Sequence, residues 1–213
     1  MWNPMTNAKL QLTALVAVLM VAGVRLSGPC DRPQERANQP AGCDLPPQAL
    51  LHKPRREYKG FYQNMAYGYS VVIPKGFVGY DDVNPSYQRG FGIIFGEEPQ
   101  GYIVLYGEHN SVEDDSAMDR AQRELGYRQE DRIAIISSKI TPTNLGQLPA
   151  AQLLVTYTCP GLPERRVWFS TIALSPDKLM AYEVTLHTLA SRFDHDHAVL
   201  NQLVGSWKYI GPR

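Results

Sequence analysis

Alternation of period two is the feature that most narrows what this chain can fold into. Ala151, Leu153, Val155 and Tyr157 face one way while Gln152, Thr156 and Thr158 face the other. Met180, Tyr182, Val184 and Leu186 alternate with Ala181, Glu183, Thr185 and His187 in the same manner. Successive side chains of a strand point to opposite faces, so both segments read as strands, the first of them half-buried and antiparallel. Arg165 to Leu174 and Leu179 to His187 flank Ser175-Pro176-Asp177, which predicts a long hairpin. Ile133 to Lys139 precedes them as a further strand.

The first half repeats the pattern in shorter pieces. Residues 67–106 read as three short strands joined by Gly/Pro turns: Tyr67, Tyr69, Val71 and Ile73 on one face and stopped by Pro74-Lys75-Gly76, then Phe91 to Phe95, then Gly101 to Tyr106. The connection from Lys75 to Gly90 is rich in turn residues yet keeps Phe77, Tyr80 and Tyr87. A loop with three aromatics packs onto its domain or contacts a partner, which makes those three the candidate binding residues. Two helices complete the plan. One is expected from Ser111, with Asp114 three positions on, an inner stripe of Ala117, Ala121 and Leu125 beside Met118, and Gly126 as its end. The other runs from about Arg192 to Gly205 with Phe193, His197, Leu200, Leu203 and Val204 inward, and Trp207 to Ile210 follows as a short edge strand. This order of elements predicts an α+β domain: an antiparallel β-sheet with helices packed on it.

Upstream of that domain the composition changes. Leu10 to Val24 is an apolar run of about 15 residues behind Lys9, the length of a signal-peptide core and short for a membrane span. We assign residues 1–27 to a signal peptide or N-terminal anchor, residues 28–57 to a Pro-rich linker, and residues 58–213 to the α+β domain. Export to the periplasm or beyond is the expectation, with a membrane tether through the N-terminal segment left open. Leu26-Ser27-Gly28-Pro29-Cys30 is similar to a lipoprotein signal, with Pro29 where a small residue belongs. Three cysteines suit an oxidising compartment and cannot all pair. Cys43–Cys159 is the expected disulfide; Cys30–Cys43 is the local alternative.

A first strand of the form aromatic-x-Tyr-Ser-Val-x-Ile-Pro-x-Gly, Tyr67 to Gly76, resembles the opening of PsbP-like domains, as does the terminal helix running into a short strand over Asn201 to Ile210. The resemblance spans residues 58–210 in element order. It implies an α/β/α sandwich around an antiparallel sheet, found on exported bacterial lipoproteins of the DcrB type and on photosystem accessory proteins. It implies no shared catalytic residues.

Templates for chemistry fit poorly. Gly68-Tyr69-Ser70-Val71-Val72 lacks the second glycine of a nucleophile elbow and lies within a strand. Neither a P-loop nor a Gly-x-Gly-x-x-Gly run occurs. His187, His195 and His197, with Asp194 and Asp196, are ligand types suited to Zn or Cu. At helical spacing, however, His195 and His197 diverge by roughly 200°. Glu183, Thr185 and His187 share a strand face and could border a polar cleft near the helix start. The acidic pairs Asp81-Asp82 and Glu97-Glu98 and the run Glu113-Asp114-Asp115 lack EF-hand spacing. Lys and Arg total 21 against 21 Asp and Glu, so no global field attracts nucleic acid. The function expected is that of an exported, non-enzymatic binding or accessory protein of the bacterial cell envelope, acting on a protein or envelope component without a cofactor. The alternatives are an envelope immunity or toxin-neutralising protein and, further off, an enzyme using a metal or the Cys159 thiol.

Overall fold

The computed structural model describes residues 56–81, 89–95, 101–130, 133–160 and 162–212. Its strands are β1 (Glu57–Tyr58), β2 (Phe61–Asn64), β3 (Tyr69–Val72), β4 (Gly79–Asp81), β5 (Gly90–Phe95), β6 (Gly101–His109), β7 (Ala134–Leu145), β8 (Leu148–Thr158), β9 (Arg165–Leu174), β10 (Met180–Leu189) and β11 (Lys208–Tyr209). Its helices are α1 (Ala117–Glu130) and α2 (Phe193–Ser206). Among the described residues, eight strands form one sheet in the order β1-β4-β5-β6-β10-β9-β8-β7, and β11-β3-β2 form a second. Every described pairing is antiparallel.

The alternation read from the sequence sorts side chains to the two faces of the large sheet. On one face Leu105, Phe169, Tyr182, Val184 and Leu186 meet Tyr69, Val71 and Trp207 of the small sheet and Val199, Leu200 and Leu203 of α2. On the other, Leu153, Val155, Trp168 and Ile172 meet Ala117 and Ala121 of α1. The small alanines let α1 approach its strands closely. The α+β architecture, an antiparallel sheet with a helix on each face, is the one the element order implied.

Several details differ from the sequence reading. Tyr69–Val72 does not pair with β5; it is the central strand between Phe61–Asn64 and Lys208–Tyr209. The first helix begins at Ala117 rather than near Ser111. Ser116 caps it: its Oγ accepts from the Asp119 amide at 3.1 Å and donates to the Asp119 carboxylate at 2.6 Å. The earlier Ser111 segment is drawn into a turn by Asn110, whose Nδ2 donates to the Asp114 and Lys178 carbonyls at 3.0 and 2.9 Å. Gly126 does not end the helix, which runs on to Glu130. β7 extends to Leu145 and turns at Gly146, whose φ of 57° suits glycine, into β8. Among the described residues no helix is long and apolar enough to cross a membrane. Leu10 to Val24, Cys30 and Cys43 lie outside the described residues.

Candidate binding cleft

Two of the three aromatic residues singled out in the sequence, Phe77 and Tyr80, line a cleft of about 340 Å³ together with Val78, Ile94, Phe95, Arg192 and His195. Tyr87 lies outside the described residues. Local chemistry builds the first wall. Pro74 ends the strand, the Phe77 amide donates to the Pro74 carbonyl at 3.1 Å, and the chain re-enters the large sheet as β4, with Tyr80 opposite Gly92. Phe77 meets Phe95 edge to face, 5.8 Å between ring centroids, which fixes its ring against the end of β5. Next to it, Tyr58 donates to the Asp81 carboxylate and stacks edge-on against Tyr62 at 4.8 Å. Burial and the adjacent Asp81 hold the Tyr58 hydroxyl well above its ordinary pKa, so it stays a donor.

The opposite wall comes from the start of α2, and Asp196 places it. Its side chain is fully buried. Its carboxylate accepts from Thr188 Oγ1 at 2.5 Å and from Arg192 Nε and Nη2 at 3.3 and 3.1 Å, and His195 Nδ1 lies 2.9 Å away. Burial alone would raise the carboxyl pKa; the hydrogen bonds from Arg192, Thr188 and His195 outweigh it and hold the group below the ordinary carboxylate value. Arg192 and His195 therefore reach the cleft with their polar ends engaged on Asp196. The cleft offers an occupant a mixed surface: the side chains of Phe77, Tyr80 and Ile94 on one wall, and the exposed edges of Arg192 and His195 on the other. Such a site suits a ring or side chain that also carries a polar group.

The three candidate metal-ligating histidines do not converge. His187 sits on the α1 face of the large sheet, stacked 4.7 Å from Tyr102 and parallel to Trp168. His197 lies on the other face between Phe169 and Phe193, at 4.6 and 4.9 Å. Burial depresses the His197 pKa against the opposing pull of Asp194, so the ring is neutral at pH 7. His195 is largely exposed. Among the described residues no three His, Cys, Asp or Glu side chains are grouped to hold a metal ion.

Glu183, Thr185 and His187 do share a face, but the polar cleft expected there is filled. The Glu183 carboxylate accepts from Tyr106, Ser170 and Thr185 at 2.5, 2.6 and 2.6 Å, and all four residues are within the packed interior or at its margin. A wider cleft of about 640 Å³ lies between the 109–115 and 177–180 segments. Three of its four carboxylates are engaged, Asp114 by Arg123 and Arg120, Asp115 by Lys178, and Asp177 by Ser175 and the Leu179 amide, and the fourth, Glu113, is exposed. Cys159 is buried at the end of β8.

The sequence reading missed Ile94 and Phe95 as walls, having treated them only as strand residues. It also considered Asp196 as a ligand type beside the histidines; the Thr188 and Arg192 contacts that set its role come from the fold.

No protein-family model and no curated protein matches this chain. Among solved structures it is similar to the solution structure of PsbP (CyanoP) from Synechocystis, with 14% identity over 70% of this chain and 91% of that one, TM-score 0.45. It is also similar to the Saccharomyces cerevisiae Ran-binding protein Mog1p, with 9% identity over 73% and 97% of the two chains, TM-score 0.49. A third is LpqN of Mycobacterium tuberculosis, described as involved in cell envelope biogenesis, with 9% identity over 75% and 87%, TM-score 0.39. These are likenesses of fold alone.

Proposed function

We propose that this chain is an exported, non-enzymatic accessory protein of the bacterial cell envelope that binds a protein or envelope component through the Phe77–Tyr80 cleft. The observation that carries the reading is the cleft's construction: Asp196 fixes Arg192 and His195 on one wall, opposite Phe77, Tyr80 and Ile94 on the other. Concave apolar surface with a few fixed polar groups is the usual form of a binding site. The N-terminal apolar run and the three cysteines support the compartment. An accessory role accords with a PsbP-like fold.

Crosslinking pull-down from envelope extracts tests it. Phe77→Ala with Tyr80→Ala is expected to lose the partner retained by the wild-type chain while circular dichroism is unchanged. Retention of the same partner by the folded double variant would remove the cleft from the reading.

The same compartment calls for a Cys43–Cys159 disulfide, which would tie the linker to the end of β8. Peptide mapping without reductant is expected to yield the Cys43–Cys159 linked pair. A Cys30–Cys43 or Cys30–Cys159 peptide in its place would refute that pairing.

A further inference from the structure

The outer face of the small sheet carries large apolar side chains that the fold leaves in solvent. Phe61 on β2 and Val72 on β3 are cross-strand partners, 66% and 47% exposed, while Tyr62 and Val71 beside them are buried. On the third strand Lys208 lies opposite Ser70 and points outward, and Ile210, two residues on and 41% exposed, is anchored by its amide to the Gly68 carbonyl at 2.8 Å. Lys59 and Lys75 flank the Phe61–Val72 end, both exposed; Lys59 pairs with Glu57 at 3.3 Å. An aromatic ring, two aliphatic side chains and a fringe of lysines on one rigid face is the composition that sits at a lipid headgroup boundary.

The chain's own order points the same way. The apolar run Leu10 to Val24 and the linker precede β1, the edge strand of the large sheet, and Phe61 at the start of β2 follows Tyr58 by three residues. A tether held at a membrane keeps close to it the strands that follow soonest in the chain, β1 and then β2. We infer that the outer face of β2-β3-β11 docks on an anionic membrane surface, with Phe61, Val72 and Ile210 entering the headgroup layer and Lys208 and Lys75 meeting lipid phosphates. This rests on reading the N-terminal segment as an export signal or anchor that brings the chain to the membrane.

Hydrogen exchange on the full chain, with and without vesicles of phosphatidylcholine and phosphatidylglycerol at seven to three, tests the inference. Amides of residues 61–64, 70–72 and 208–210 are expected to exchange more slowly on vesicles, and less so on pure phosphatidylcholine. Phe61→Glu should abolish that protection while the chain still sediments with vesicles through its N-terminal segment. Lys208→Ser should lower the protected fraction by about fivefold, the effect of removing one cation near an anionic surface. Phe61 and Lys208 are exposed, so both variants are expected to fold. Vesicle-bound chain with no protection on this face would overturn the docking and leave the tether standing. Failure to sediment with either vesicle would overturn both. Protection that grows with protein concentration without vesicles would assign the face to a second copy of the chain and refute the membrane reading.

Discussion

Gly90→Ala and Gly126→Ala are expected to move stability in opposite directions. At Gly90, the first residue of β5, a Cβ would overlap the carbonyl oxygen and carbon of Leu105 and the Cα of Tyr106 on the neighbouring strand. Those atoms lie within β6, which pairs with β5 from Gly90–Tyr106 to Phe95–Gly101 on one side and with β10 on the other. Backbone locked between two strands cannot move aside as a side-chain end can, so the added methyl must distort the register or expel β5. The expected cost is about 3 kcal/mol, near the upper end for overpacking, or roughly 6–12 °C in Tm for a domain of this size. At Gly126, in α1, a Cβ meets nothing within 4 Å and φ is not positive. Alanine there should gain about 0.5–1 kcal/mol by restricting the unfolded chain and favouring helix. Urea unfolding of the two variants beside the wild type provides the measurement. A stable Gly90→Ala protein would mean that β5 and β6 do not approach as closely as described; a destabilised Gly126→Ala protein would mean that Gly126 serves a contact other than helix geometry.

This pair also marks where local sequence speaks and where it does not. Alternation in 151–158 and 180–187 identified β8 and β10, because one face of each is apolar while the other carries polar side chains, partly solvated along β8 and held in buried hydrogen bonds such as Ser170–Glu183 along β10. The stretch Ile140 to Leu145 carried no such signal. As the outermost strand of the described sheet it exposes Lys139, Pro142 and Asn144, with a register irregularity between Ile135 and Ser137, features that suit an edge and erase the apolar period. Ser111 and Ser116 each precede an aspartate by three residues, and nothing local ranks them; Asn110 decides by binding both flanking loops. The identity of Tyr69–Val72 as a strand was legible, but its partners were not, since β11 lies well over a hundred residues away in the chain. In the cleft, Phe77 and Tyr80 stood out because aromatics in a loop are conspicuous. Arg192 and His195 reach them only through the docking of α2 on the sheet, which no spacing in the sequence encodes.

Replacement of Asp196 by alanine is expected to cost about 3–4 kcal/mol at pH 7, combining the loss of charge-assisted hydrogen bonds with an orphaned buried hydroxyl. Thr188 is fully buried, so its Oγ1 would lose its 2.5 Å acceptor with no water to replace it. Arg192, about one-third exposed, can swing into solvent, which caps the penalty. The sign with pH follows from the depressed carboxyl pKa. In the unfolded chain the group titrates near its ordinary value of about 3.9; in the fold it titrates lower. Its contribution is therefore complete above pH 4 and falls away as pH drops through the folded pKa. Asp196→Asn, which keeps the shape and removes the charge, should then differ from the wild type by less at pH 3 than at pH 7 in urea unfolding. An equal difference at both values would show that shape, not charge, is what Thr188 and Arg192 require of this position. Because Asp196 also sets Arg192 and His195 at the cleft, the alanine variant should weaken partner capture at temperatures well below its own unfolding transition. Intact capture there would mean that the Phe77–Tyr80 wall binds without the helix side.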